Sequence, residues 1–403
     1  SEGYMEIDLL SPSSFADGHP YEQYRWLRDN APIYRHEEPG GPGFWVVSRY
    51  TDVRTVGRDP QRFSSEPTIS ILDSEAMVMD DEHKMMLMMD PPMHTEYRNL
   101  ISREFTQGAA DGLSPRIQQL AQQIVDEVIE RGECDFVSEV AGEMPSYVIA
   151  ELMGLPLEDG RKLYELTEII HSAAETLPEG AQMQAVMQMF AYASEVIKEK
   201  RAKPTDDLAS KLLHAEVDGK KLDDLDFQLF FMLLIDAGGD TTRNLVSGGL
   251  LTLLEHPGEY RKLQTDLSGK LASARDELLR WVAPVVYMRR TATQDTELAG
   301  QQIREGDKVV MYYGSANRDE RDIANPDVFD ISRHPNLHLS FGRGPHVCMG
   351  QYIARVEIDA MLHEVISRMH DIEIAETPEW LPSNFISGPR RMPVKFAPGK
   401  KLS

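Results

Sequence analysis

Cys348 lies in Phe341-Gly342-Arg343-Gly344-Pro345-His346-Val347-Cys348-Met349-Gly350, the stretch that says most about what this chain could do. The amphipathic run Ile353, Val356, Met361, Leu362 and Val365 follows, so the thiol stands at a helix N-terminus, where the dipole and unpaired N–H groups favour a thiolate. Glycines without β-carbons let such a loop lie flat against a large planar ligand while its N–H groups point at the sulfur. The combination describes a metal-bound thiolate. A lone cysteine beside a Gly/Pro turn is more often a buried structural residue; the density of the pattern favours the ligand.

A second constellation is Ala237-Gly238-Gly239-Asp240-Thr241-Thr242. Two consecutive glycines inside a helix cost about 1 kcal/mol each relative to Ala, so something must offset them. Close passage of a bulky ligand would do so, and a Thr hydroxyl bonded back into the helix ladder would open room for small molecules. A small-residue helix crossing is the plainer alternative. Glu277 and Arg280, three apart, share one face of a helix that also carries Leu278, Leu279 and Trp281. A buried pair in that setting needs further partners. His94 and Arg98, four apart, share another helical face.

In this order and at these spacings the residues resemble the cytochrome P-450 family, whose haem-thiolate loop has Phe, Gly, a basic residue, Cys and Gly where this chain has them. The resemblance covers nearly the whole sequence. It implies haem b with Cys348 as its iron ligand and Phe341 and Gly350 in the flanking loop. Such a thiolate pushes electron density onto iron and favours O–O cleavage. Asp240 and Thr241 match the family's acid and alcohol, which pass protons toward bound oxygen. His94, Arg98, His346 and Arg290 match contacts to the haem propionates, with Arg289 able to exchange roles with Arg290. Glu277 and Arg280, joined by Arg333, match a structural triad on the thiolate side. Family position places the substrate pocket at Leu233, Asp236 and Ala237, at Val285 and Val286, at Phe385 and Ile386, and in two methionine-rich segments. These contain Met77, Met79, Met85, Met86, Met88, Met89, Met183, Met187 and Met189. Asp236 is the polar exception, suited to a substrate hydroxyl or to the proton route.

The implied reaction is hydroxylation of an apolar small molecule with O₂. The local patterns look most like bacterial members acting on sterols, branched lipids and terpenoids. Electrons are expected from a ferredoxin and its reductase, with NAD(P)H used only indirectly, because no flavin or nicotinamide fingerprint is present. Gly342-Arg343-Gly344 lacks the βαβ context of a dinucleotide site. A peroxide-driven peroxygenase and a haem-thiolate gas sensor are the alternatives; the paired acid and alcohol argue against both.

The elements that must position these groups are long helices and a minor sheet. Asp90-Pro91-Pro92 opens a helix through about Glu104, and the longest helix runs from about Leu222 to Leu254, stopping at His256-Pro257. Further helical periodicity lies near Ile117–Arg131, Pro145–Met153, Gln182–Lys200 and Leu362–Met369, while Phe44–Val47 and Val309–Tyr313 read as strands. With no linker or repeat in 403 residues, the expectation is one mainly α domain with a minor β sheet, spanning 1–403. The 42 Lys and Arg against 66 Asp and Glu give a net charge of −24, which repels nucleic acid and anionic lipid. Arg98, Arg103, Arg343 and Arg355 are candidates for a local basic patch toward an acidic redox partner. Cys134 is the only other cysteine, which suits a reducing cytoplasm. Ser1 to Leu10 has no apolar run long enough for a membrane anchor.

Overall fold

A computed structural model describes residues 4–75 and 80–403. Eight helices position the site: α1 (Met93–Ile101), α2 (Gln107–Ile129), α3 (Glu143–Met153), α4 (Leu157–His171), α5 (Ala181–Ala202), α6 (Asp224–Glu255), α7 (Leu267–Val282) and α8 (Gln351–Arg368). Helix α6 is the axis of the molecule. Its start is fixed by a reciprocal cap, in which Asp223 accepts from the Asp226 N–H at 2.9 Å and Asp226 from the Asp223 N–H at 3.1 Å. Pro257 ends it. Phe227, Phe231, Leu245, Val246 and Leu253 are buried on several sides, because α3, α4, α5, α7 and α8 all pack against this one helix. A helix apolar all round belongs at the centre of a domain.

Strands β1 (Ile33–His36), β2 (Phe44–Val47), β3 (Phe63–Ser64), β4 (Tyr287–Ala292) and β5 (Lys308–Tyr312) form one sheet in the order β1-β2-β5-β4-β3. Val310 is opposite Val46 on one side and Arg289 on the other. That register matters for the site, since it turns neighbouring Arg289 and Arg290 to opposite faces.

The expected mainly α architecture is found. Helix α2 begins ten residues before its apolar periodicity, because the Thr106 hydroxyl caps it by accepting from the Ala109 N–H at 3.1 Å. Helix α4 was not anticipated: its outer face carries Glu158, Lys162 and Glu165, and its inner Tyr164, Glu168 and His171 find their partners in α6. Met183, which borders a recess with Leu177 and Gln182, and Met187 are 64% and 63% exposed, whereas Met189 is fully buried in the core. One pocket expectation is corrected. Val286 is wholly buried in a layer with Phe44, Val46 and Tyr312, so it supports the sheet and lines no chamber. Met85, Met86, Met88 and Met89 are buried. Met77 and Met79 lie outside the described residues.

Candidate active site

The loop ahead of α8 turns through Gly342 and Gly344, whose φ angles are +74° and +86°. A β-carbon at Gly344 would lie 2.1 Å from the Gly57 carbonyl oxygen. The Cys348 N–H donates to the Phe341 carbonyl at 2.8 Å, closing the loop. Arg355 lies 4.9 Å over the Phe341 ring and donates to Gln351 at 2.8 Å. Burial pushes the Cys348 thiol up, against the Gly350 N–H and the charges of Arg98 and Arg355, which favour the thiolate. Coordination to a metal ion would deprotonate the thiol outright. Glu277 and Arg280 are both fully buried, 2.6 Å apart. Arg333 reaches Glu277 at 3.1 Å, and Arg280 donates to the Asn317, Pro326 and Val328 carbonyls. The triad therefore fastens α7 to the chain that leads into the cysteine loop.

Across this loop four nitrogen-bearing side chains converge. The His94 and His346 rings are 3.9 Å apart between centroids, and His346 Nε2 bonds the Met89 carbonyl at 2.8 Å. Desolvation first, then the charges of Arg98 and Arg290, push His94 down to about 4, with Asp90 opposing. His346 is pushed down further, by burial, Arg290, His94 and Arg98. Arg98 spends one nitrogen on the Pro345 and Val347 carbonyls, at 3.1 and 2.8 Å. Arg289 is committed elsewhere, to Asp73 at 2.7 Å and to the Ser70 carbonyl. Arg290 is buried and, among the described residues, forms no ion pair; its one hydrogen bond goes to the Arg289 carbonyl at 3.0 Å. A buried guanidinium with only a carbonyl partner, beside two neutral imidazoles and a second arginine, is a donor set matched to two carboxylates.

Helix α6 supplies the opposite wall. Between buried Ile235 and buried Gly239, Ala237 is exposed and Asp236 half-buried, and Thr241 is half-buried one turn on. Burial is nevertheless the leading influence on Asp236, raising its carboxyl. Accessible yet deeply surrounded atoms face an interior chamber, and Cys348 has the same character. Val285 and Phe385 are half-buried, and an isolated bridge pairs Val285 with Ile386; Leu233 and Ile386 are buried.

The glycines Gly238 and Gly239 are explained by packing. A β-carbon on Gly239 would stand 2.3 Å from the Tyr164 ring, and one on Gly238 3.2 Å from Ile149. They permit a close helix crossing by α3 and α4. Helix α6 is also unbroken, and among the described residues Thr241 makes no hydrogen bond, so the expected back-bond into the ladder is not formed. Thr242 bonds Glu357 of α8 at 2.8 Å instead, and the Asn244 amide bonds the Asp240 carbonyl at 2.8 Å.

The sequence reading missed the partners of the acids. Asp240 accepts from Tyr164 at 3.2 Å and pairs with His171 at 3.1 Å, and the same His171 nitrogen is held by Asp236. Both carboxylates hold the imidazole well above its ordinary range despite its burial. Tyr164, Glu168 and His171 form one stripe at helical spacing on α4, a signal that a chemistry-bearing residue list organised by motif passes over. Of the expected basic patch, Arg103 is exposed and Arg343 and Arg355 half-buried, while Arg98 points inward at the loop carbonyls. Asp276, 3.9 Å from Arg355, offsets part of its charge.

Residues 163–385 match the family described as Cytochrome P450. A steroid C26-monooxygenase of Rhodococcus jostii is 35% identical over 401 residues, covering 97% of this chain and 84% of that protein. A methyl-branched lipid omega-hydroxylase of Mycobacterium bovis is 37% identical over 386 residues, covering 92% of this chain and 90% of the relative. In structure, a Mycobacterium marinum cytochrome P450 in complex with pseudoionone superposes with a TM-score of 0.90 at 35% identity, covering 98% of this chain and all of that one. The family match over these residues and the two relatives place the chain in the cytochrome P450 family. It is a haem-dependent monooxygenase that uses O₂ and electrons from redox partners. Among the described residues no helix is long and apolar enough to cross a membrane.

Proposed function

We propose that this enzyme hydroxylates an unactivated C–H bond of a sterol, a methyl-branched lipid or a terpenoid, with electrons from a ferredoxin. Haem b, held by Cys348, would supply O₂ activation and the transfer of one oxygen atom, with electron donation from the cysteine sulfur as the tuning feature. The observation that carries the reading is the juxtaposition of the cysteine loop with His94, His346, Arg98 and unpaired Arg290. In this assignment Arg290 binds a propionate, since Asp73 already occupies Arg289. His94 and His346, neutral in the protein alone, act as hydrogen-bond partners. The Gly350 N–H restrains the sulfur, and the Glu277, Arg280 and Arg333 triad fixes the loop that carries it.

On the other wall, Thr241 orients a proton toward oxygen and Asp240 supplies it. Val285, Phe385, Ala237 and Leu233 exclude water and enclose the substrate, whose binding draws on buried apolar area at roughly 25 cal/mol per Å². The relatives named for steroid and methyl-branched lipid oxidation support the substrate class. Arg103, Arg343 and Arg355 lie on or near the thiolate side and suit an acidic ferredoxin, by contacts that salt weakens.

Two measurements test the reading. Cys348→Ala should abolish the thiolate-type spectrum of the reduced carbon monoxide complex; survival of that spectrum refutes the ligand assignment. A panel of sterols, branched fatty acids, monoterpenes and polar aromatic acids should be titrated against the ferric spectrum, followed by product analysis with a surrogate ferredoxin and reductase. Spectral shifts by the polar acids alone would overturn the apolar substrate class, and turnover supported by peroxide alone would favour a peroxygenase.

A further inference from the structure

On the far side of α6 from the cysteine loop, the surface opens into a cleft of about 380 Å³ between α2, α3 and α4. Its lining includes Glu127, Glu139, Glu143, Glu165 and Glu168, against Arg131, Arg161 and Arg243. Each arginine is taken by an acid: Arg131 by Glu139 at 2.6 Å, Arg161 by Glu143, and Arg243 by Glu168. Glu127 and Glu165 are left over; both are exposed at the rim, and among the described residues neither forms an ion pair. The cleft is therefore a hydrated, net negative funnel.

Its floor is made of Tyr164 and Arg243, both buried. The Arg243 guanidinium lies 4.6 Å over the Tyr164 ring, and its Nε has no hydrogen-bond partner. The Tyr164 hydroxyl donates to Asp240 at 3.2 Å. A single phenol thus separates cleft water from the acid that faces the chamber. The groups around Asp240 are Tyr164, His171 and Glu168 from α4, and Asp236 and Arg243 from α6. His171, bridging both aspartates, closes the other approach with an ion pair, whereas the cleft approach ends in a neutral hydroxyl.

We propose that this cleft is the proton inlet of the enzyme and that Tyr164 is the positioning residue that relays protons from it to Asp240. The phenol oxygen accepts a proton from a hydronium ion in the cleft, which is left as water, while its own proton passes to the Asp240 carboxylate, so one proton moves inward and the phenol is regenerated. Glu127 and Glu165 raise the local proton activity at the mouth. Arg243, stacked on the ring and anchored by Glu168, holds the phenol in place. This inference rests on Asp240 being the acid of the proposed reaction.

Tyr164→Phe isolates the hydroxyl, because the retained ring still packs against Gly239. In the holoenzyme, with a surrogate ferredoxin and reductase and a sterol or branched lipid that shifts the ferric spectrum, ligand titration should be unchanged. Product formed per NAD(P)H should fall about tenfold, less than the full effect of a lost proton donor because water can partly substitute. The solvent deuterium isotope effect on that ratio should rise, and peroxide-driven turnover, in which protons arrive with the oxidant, should be unaffected. Independently of turnover, the infrared carboxyl band that disappears in Asp240→Asn should shift in Tyr164→Phe. The double variant Glu127→Gln/Glu165→Gln should move the alkaline limit of coupling to lower pH, as should high salt. If Asp240→Asn uncouples the enzyme but Tyr164→Phe changes neither coupling, isotope effect nor band, the inlet is refuted and the proposed reaction stands. If Asp240→Asn has no effect on coupling, the acid assignment falls, and the inlet with it.

Discussion

His94 of α1 and His346 of the cysteine loop lie face to face at 3.9 Å between ring centroids, tilted by 38°. Two charged imidazolium rings would repel at this distance, and burial with the nearby arginines disfavours the charged form of both. The contact joins α1 to a loop some 250 residues later in the chain.

Replacing His94 with Gln should therefore weaken haem retention more than it weakens the fold. The expected outcome is a several-fold faster transfer of haem to an acceptor protein, with thermal unfolding of the haem-free chain shifted by only a few degrees, as for a change of about 1 kcal/mol. Arg290→Gln should have the larger effect on haem transfer, since it removes a buried charge that forms no ion pair among the described residues. Arg289→Gln should act on stability through Asp73 instead.

Glu277→Ala leaves the Arg280 guanidinium buried without its carboxylate and also removes the acceptor for Arg333. Breaking a buried pair on one side costs about 3–5 kcal/mol. Denaturant unfolding should show a loss of that order, with haem content falling in step. A conservative Glu277→Asp should restore only part of it, because the shorter side chain cannot bridge both arginines.

Gly344 and Gly350 should separate packing from cofactor contact. Gly344→Ala places a β-carbon against the Gly57 carbonyl at a residue with φ +86°, so the loop should misfold and the haem-free protein lose stability. At Gly350 an added β-carbon meets no protein atom within 4 Å. Gly350→Ala should leave the haem-free protein unchanged, and any defect it shows on reconstitution locates the cofactor against this face.

Stability should fall toward both ends of the pH scale for identifiable reasons. Burial holds His19 down at about 4, against its ordinary 6.5. The unfolded chain takes up that proton first, so stability present above pH 6.5 is lost as pH falls toward 4. Glu357 is the opposite case, raised by burial to about 8 from 4.5; its contribution is full below pH 4.5 and is lost as pH rises through 8. Melting temperatures from pH 4 to 9 should show Glu357→Gln flattening the alkaline limb and His19→Gln the acid limb. The amide of the first variant keeps a partner for Thr242.

The arrangement around the cysteine loop was legible in the sequence because it is coded locally. Phe341 to Gly350 fold on themselves, Glu277 and Arg280 meet within one helical turn, and the length of α6 is written in its cap, its apolar run and Pro257. The family resemblance was available for the same reason, and the family match and the relatives agree with it. What the sequence left open depends on residues brought together from far apart. Arg289 and Arg290 are indistinguishable in the chain; the register of β4 against β5 turns one to Asp73 and the other to the two imidazoles. The double glycine reads as room for a ligand until α3 and α4 are seen pressing Ile149 and Tyr164 onto it. Asp240 meets Tyr164 across 76 residues and Asp236 meets His171 across 65. No local periodicity encodes such pairs, since each helix shows a polar stripe whose partner is decided only when packing buries it, and burying a polar group without a partner is costly.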